Sequence, residues 1–329
     1  MIKRYFICYN YLHETLFQRV TMIIYHPKLF PRFKDFGIQI PMSNNRAEQI
    51  FLDLKDEFQL QEIDFSDITP ITRDDLLTIH SKEYIDRLYS EQLGEILEEC
   101  FDIESYGGKI LDPQAAFNHI LLQSGGTYFS FKQSLKNGFS FYLGGGMHHA
   151  RSDRGSGFCL VHDVLIALKK IQVRSAWIVD VDAHMGDGTA EITQRDDSIK
   201  TLSIHMKDGW PFHTDIEVIA SDIDIPITEG EEDQYLSKLE EGLIQLSKKF
   251  PRPEIVVVVD GADPYENDGL PGSHLLKLTL PQLLERDFMI YNYFKSKSIP
   301  QAYVLAGGYG PESYKVTSQF LRGLLTKCS

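Results

Sequence analysis

One run, Ile178 to Gly188, constrains this chain most: it reads Ile-Val-Asp180-Val-Asp182-Ala-His184-Met-Gly-Asp187-Gly. An apolar strand candidate ends by delivering three carboxylates and an imidazole into one place. Side chains alternate across a strand, so Asp180, Asp182 and His184 begin on a single face. Charges gathered at the end of an apolar strand are costly unless they are paired or bound to metal. Two arrangements meet that condition: a helix N-cap or salt-bridge cluster, and a cation site with Asp182 and His184 as ligands. Oxygen plus nitrogen ligation suits zinc, with iron(II) or another first-row metal as the alternative.

Other strand ends favour the cation site. Phe139–Leu143 is a strand candidate that runs into Gly144-Gly145-Gly146-Met147-His148-His149-Ala150. The glycines allow close backbone approach and set two adjacent histidines, a potential acid–base pair, at the mouth of a strand. Glu254–Asp260 is an apolar run ending in Gly261-Ala262-Asp263-Pro264, and Ala302–Ala306 ends in Gly307-Gly308-Tyr309-Gly310. Polar chemistry thus recurs at the C-terminal ends of strands, which is where ligands bind in open α/β sheets.

Strand candidates at 22–25, 139–143, 176–181, 201–205, 255–259 and 302–305 alternate with helical patterns at 45–57, 72–80, 81–93, 113–135, 164–171, 233–249 and 280–296. Strands buried on both faces read as continuous apolar runs, as Ile255–Val259 does. The expected architecture is one three-layer α/β/α domain around a mostly parallel sheet.

Composition narrows the function. A net charge of −14 disfavours direct nucleic-acid binding, where a basic face is expected. It suits a cationic substrate such as a lysine-rich protein tail, although a solvated acidic surface is its commoner meaning. No apolar stretch is long enough to span a membrane. Residues 1–21 carry Lys3, Arg4, His13, Glu14 and Arg19 and lack the sustained apolar core of a signal peptide. Cys8, Cys100, Cys159 and Cys328 show no short paired spacing, which argues against a disulfide framework or structural zinc cluster and for a reducing cytoplasm.

Taken together, Gly-Gly-Gly-Met-His-His-Ala, Asp153-Arg154-Gly155-Ser156-Gly157-Phe158-Cys159, Asp-Val-Asp-Ala-His-Met-Gly-Asp-Gly-Thr189, Gly-Ala-Asp-Pro and Gly-Gly-Tyr resemble the zinc-dependent histone deacetylase family of the arginase/deacetylase superfamily. The motifs occur in the family's order, from residue 25 to roughly 325. Tyr25-His26-Pro27 and His80-Ser81-x-x-Tyr84 are similar to the class IV branch and its bacterial relatives. The family pattern begins at Met22, so residues 1–21 are either an extension ahead of the catalytic domain at 22–329 or precede a natural start at Met22.

The resemblance implies metal-assisted removal of acyl groups from lysine side chains. Asp182, His184 and Asp263 would hold the metal and leave a position for water. His148 and His149 would act as acid and base, oriented by Asp180 and Asp187, and Tyr309 would donate its hydroxyl to the developing oxyanion. Gly157, Phe158 and Trp210 match places where the family lines a narrow tunnel, and Leu270 should lie at its rim. A structural K+ or Na+ would sit near Asp180, Asp182, His184 and Ser203. Class IV similarity implies long-chain deacylation rivalling deacetylation. The chain departs from the pattern at His162-Asp163, where many relatives have Asn-Asp, and at Ala306, where class I members have glycine. Leu270 is apolar where polyamine-selective relatives are acidic. His26, His80 and His205 read as satisfied polar groups. Three other functions remain open: a two-metal ureohydrolase, a small-molecule amidohydrolase such as one acting on acetylpolyamines, and a non-catalytic acyl-lysine binder.

Overall fold

The computed structural model describes residues 20–30, 32–41, 45–212 and 217–327. Residues 1–19, which make up most of the expected extension, and Cys8 and Cys328 lie outside the described residues. Seven strands form one sheet: β1 (Val20–Ile24), β2 (Gly138–Tyr142), β3 (Ala176–Asp180), β4 (Ile199–Met206), β5 (Ile223–Ile227), β6 (Ile255–Asp260) and β7 (Gln301–Leu305). The α-helices among the described residues are α1 (Arg46–Phe58), α2 (Arg73–Leu76), α3 (Lys82–Leu88), α4 (Leu93–Cys100), α5 (Ile103–Tyr106), α6 (Pro113–Asn137), α7 (Asp163–Ile171), α8 (Asp187–Thr193), α9 (Tyr235–Lys249), α10 (Leu280–Ser296) and α11 (Tyr314–Thr326).

The strand order is β1-β2-β7-β6-β3-β4-β5, and every pairing is parallel. The strands expected to carry chemistry, β2, β7, β6 and β3, are therefore consecutive neighbours, and their C-terminal ends open on one place. Parallel strands need helical crossovers that cover both faces. Leu239, Leu243, Leu283, Ile290 and Phe294 of α9 and α10 pack on one face with Val179 and Val256. Phe129 and Phe131 of α6 and Val164 and Leu168 of α7 pack on the other with Ile178 and Val257.

Side-chain parity carries past the end of β3. Val179, Val181 and Ala183 all join the α9–α10 core. Asp180, Asp182 and His184 consequently lie on the opposite side, as alternation predicts. The sheet is wider than expected because β5 was not legible. Its Ile-Asp-Ile-Pro-Ile segment is only half-buried, and Pro226 suits an edge strand; neither resembles a continuous apolar run. Helices α4, α5, α8 and α11 were also missed. The expected helix 81–93 stops at Leu88, and 72–80 shrinks to the single turn of α2, capped reciprocally by Thr72 and Asp75. β1 begins at Val20, so the expected boundary after residue 21 falls within a strand.

Asp260, at the end of β6, is held by a buried ion cluster. Arg286 on α10 is fully buried and donates to Asp260 at 2.9 Å and Asp287 at 2.7 Å, as well as to the carbonyls of Val181 and Gly261. A buried charge needs such partners. The same guanidinium braces the chain before Asp182 against the chain before Asp263.

Candidate active site

Three donors converge beyond β3 and β6. His184 Nδ1 lies 3.2 Å from Asp182 Oδ1 and 2.9 Å from Asp263 Oδ2. Tetrahedral ligands at zinc–donor distances near 2.0–2.1 Å would stand roughly 3.3 Å apart, so this spacing fits one small divalent ion. The carboxylates are aimed by backbone amides: His184 N and Gly307 N donate to Asp182, and Ala183 N donates to Asp263. Among the described residues, two buried groups of three donors could share an ion, and both use Asp182: one with His184 and Asp263, one with His148 and His149. Asp260 faces Arg286 and supplies no further ligand.

Burial opposes charge on His184, but the hydrogen bonds and charges of Asp182 and Asp263 override it and push its pKa up to about 10. Burial and the neighbouring Asp182 charge raise Asp263 to about 7. For Asp182, burial acts upward, and the charge of His148 together with His184 holds the carboxyl well below its usual range. A site that concentrates two buried carboxylates on one imidazole has the charge of a cation receptor.

Two histidines follow the glycine turn after β2, their ring centroids 3.8 Å apart. His148 Nδ1 donates to Asp180 at 2.6 Å, and His149 Nδ1 donates to Asp187 at 2.8 Å. The carboxylates differ in their own partners. Arg151 donates to Asp187 through Nε and one terminal nitrogen, whereas among the described residues Asp180 receives only the amide of Asp182 besides His148. Burial lowers both imidazoles, but Asp180 and Asp182 reverse this at His148 and lift it to about 9. At His149 burial and the charge of His148 prevail over Asp187, leaving it near 4. Near neutral pH one ring is charged and its neighbour is not.

Tyr309 sits on the turn after β7. Arg46 at the start of α1 donates to the carbonyls of Ala306, Gly307 and Gly308. Burial first, then Asp263 and Asp182, raise the tyrosine well above its ordinary pKa, so its hydroxyl keeps its proton. Gly307 leaves no room for a side chain, since an added Cβ would stand 2.4 Å from Asp263 Oδ2 and 2.6 Å from Asp182 Oδ2.

The other expected residues fall as follows. Phe158, in a left-handed conformation at φ 66°, packs edge-on to Tyr106 and Tyr309 at 5.6 and 6.4 Å. Trp210 stands edge-on to His149 at 4.5 Å. Gly157 (φ 53°) passes between them: an added Cβ would lie 2.6 Å from Trp210 and 2.7 Å from His149. Gly157→Ala should therefore shift this wall and reduce kcat/KM by about tenfold or more, since small misplacements are costly, with metal content unchanged. A wild-type rate in the variant would show that the wall does not guide substrate. Leu270 is buried, not exposed at a rim; its side chain touches the space over Gly272, which lies against His184.

A cavity of about 130 Å³ opens beside the dyad, Asp182 and Tyr309, space for roughly four water molecules at about 30 Å³ each. Phe158, Tyr309, His149 and Asp182 line it together with the apolar side chains of Phe30, Phe33, Phe101, Ile120 and Leu143.

Several supporting residues escaped the sequence reading. Arg46 was one position of an amphipathic helix, although it heads the buried stripe of Ile50 and Leu54. Arg151 and Asp268 lacked any motif signal. His162 caps α7 and its ring bonds Thr189, whose amide donates to the carbonyl of His148. Asp163 accepts from Thr127 and from the amides of Gly146 and Met147, fixing the glycine turn. The His-Asp departure thus braces the dyad. His80 bonds a backbone carbonyl and His26 accepts from an amide, as satisfied polar groups do. His205 bonds the Met206 carbonyl through Nδ1, but its buried Nε2 has no hydrogen-bond partner among the described residues.

Residues 40–323 match the histone deacetylase domain family. The chain is 28% identical to histone deacetylase 2 of Arabidopsis thaliana over 76% of this chain and 64% of that protein. It is 30% identical to histone deacetylase B of Dictyostelium discoideum over 73% of this chain and 58% of that protein. Identity to the acetoin utilization protein AcuC of Staphylococcus aureus is 28%, over 74% of this chain and 66% of that one. The chain spans less than two thirds of the length of the two deacetylases. In fold it is similar to an HDAC homolog from Aquifex aeolicus, with a TM-score of 0.69, 23% identity, and 94% of this chain and 84% of that chain covered.

Proposed function

The chain belongs to the histone deacetylase family, and from that premise we propose that it is a metal-dependent hydrolase that removes acyl groups from lysine side chains. The convergence of Asp182, His184 and Asp263, with Asp182, the paired dyad and Tyr309 lining one cavity, carries this reading. Its donor set suits zinc, with iron(II) the alternative. A bound ion would polarise the amide carbonyl and bring the acidity of a water molecule toward neutrality. Ser203, whose buried hydroxyl has no partner among the described residues, leaves an oxygen for a K+ or Na+ ion.

His149, neutral and donating through Nδ1, keeps a lone pair on Nε2 to take the proton of the attacking water. His148, held charged by Asp180, stabilises the negative charge that develops and can supply a proton to the leaving amine. The Tyr309 hydroxyl donates to the oxyanion. Phe158 and Trp210 flank the lysine stem and exclude water from it.

We propose further that the acyl chain lies against the apolar side chains of the cavity, where the space exceeds what an acetyl group fills. Each methylene buried there contributes about 0.8 kcal/mol. The test is a panel of lysine peptides acylated from acetyl to myristoyl, assayed with metal-loaded protein. Long chains should rival or exceed acetyl in kcat/KM. Tyr309→Phe should cost about a hundredfold to a thousandfold in kcat on every chain length, as removal of an oxyanion donor does, with KM and metal content little changed. Acetyl far ahead of myristoyl would overturn the chain-length reading alone. Full activity of Tyr309→Phe would remove that residue from the chemistry.

A further inference from the structure

The Tyr309 hydroxyl makes no hydrogen bond to any described residue, and its ring meets Phe158 edge-on at 6.4 Å, a contact that leaves the hydroxyl's reach to the backbone. Its position therefore depends on its backbone. That backbone is held from two sides by groups of opposite sign. Arg46 takes the carbonyls of residues 306–308. On the other side Asp268 Oδ2 accepts the Tyr309 amide at 2.7 Å, while the Gly269 amide donates to the Tyr309 carbonyl at 3.0 Å. The second carboxylate oxygen is also occupied. Asp268 Oδ1 accepts from the Leu270 amide and the Ser273 hydroxyl, both at 2.9 Å.

We infer that Asp268 is a positioning residue for Tyr309, fixing the backbone from which its hydroxyl reaches the reacting carbonyl and tying that backbone to the turn at 270–273. The inference rests on the oxyanion role proposed for Tyr309. An aspartate that bonds the amide two residues on is a common turn former, and that local role accounts for Oδ1. It does not account for Oδ2, which spans 41 residues to the tyrosine. The two loops also approach closely, since an added Cβ on Gly269 would stand 3.0 Å from Gly310 Cα. A small displacement at Asp268 has no slack to absorb it before it reaches Tyr309.

A double-mutant cycle tests this. Asp268→Asn is isosteric but leaves an NH2 facing either the Tyr309 amide or the turn. Asp268→Ala removes both acceptors. Each should lower kcat about ten- to a hundredfold, the scale of ångström misplacements at a reacting centre, while KM and metal content stay as in wild type. Ser273→Ala, which touches only the turn side, should keep the wild-type kcat. In a Tyr309→Phe background Asp268→Ala should cost little more, because residues acting through one group are not additive. The inference fails if Asp268→Ala keeps the wild-type kcat, if its loss multiplies with that of Tyr309→Phe, or if it acts through metal content or KM. If Tyr309→Phe itself is fully active, the oxyanion assignment and this inference fall together; if Tyr309→Phe is impaired and Asp268→Ala is not, only the inference falls.

Discussion

Asp263→Ala and Asp182→Ala are each expected to lose bound metal and turnover together. Three donors form the proposed ligand set, and removing one leaves a two-ligand site with metal affinity too low to stay loaded. The loss should not come from unfolding. In wild type, burial and Asp182 already strain the Asp263 carboxyl, raising it to about 7. Deleting that carboxylate removes a desolvation cost but leaves the Ala183 amide and the His184 ring without an acceptor; the two offset, so the chelated variant should melt close to chelated wild type. Metal addition supplies the contrast. A ligand that binds only the folded state at a thousand times its dissociation constant stabilises it by about 4.1 kcal/mol. Wild type should gain Tm on zinc titration and Asp263→Ala should not. Metal analysis with calorimetry checks both, and a variant that retains stoichiometric metal and full rate ends the ligand assignment.

What could be read in the chain follows a physical division. Ile178–His184 and Ile255–Asp263 were legible because a buried parallel strand must be apolar throughout, and charges at its end stand out against that background. That β2, β7, β6 and β3 are consecutive neighbours is shown by the sheet order and by no local pattern. β5 was not legible, since an edge strand with Pro226 and a half-buried face lacks the apolar run. Helix α8 was hidden inside the motif itself: Asp187 reads as a site residue while it also opens a helix. Residues that hold the site through the backbone left the weakest trace. Arg46 reaches carbonyls some 260 residues away, and no local pattern announces such a bond. Asp268 is an ordinary turn aspartate until the tyrosine amide is placed against it. Leu270 shows the limit from the other side: the resemblance expects it at a rim, and the structure has it buried just ahead of the turn at 271–273.

The dyad's division of labour leads to the last expectation. His149→Ala should keep its metal, since no proposed ligand is touched, and lose about a hundredfold to ten-thousandfold in kcat, the range for removal of a general acid–base group. His148→Ala should lose rate as well, but in a different limb of the pH profile. The base must be neutral, so activity falls as pH drops toward the value near 4 held at His149. The partner must be charged, so activity falls again as pH climbs toward the value near 9 held at His148. A cation bound beside Asp182 favours the neutral form of both rings, so the alkaline limb of the loaded enzyme should lie below 9 and move down on metal loading. The asymmetry has a structural source: Arg151 shares Asp187 with His149, whereas among the described residues no Lys or Arg side chain bonds Asp180 beside His148. Arg151→Gln should free Asp187 to favour imidazolium at His149 and shift the acid limb upward. Profiles of kcat/KM for the four proteins decide the matter. A wild-type profile that stays flat across both limbs, or a His149→Ala rate close to wild type, would remove acid–base work from this pair.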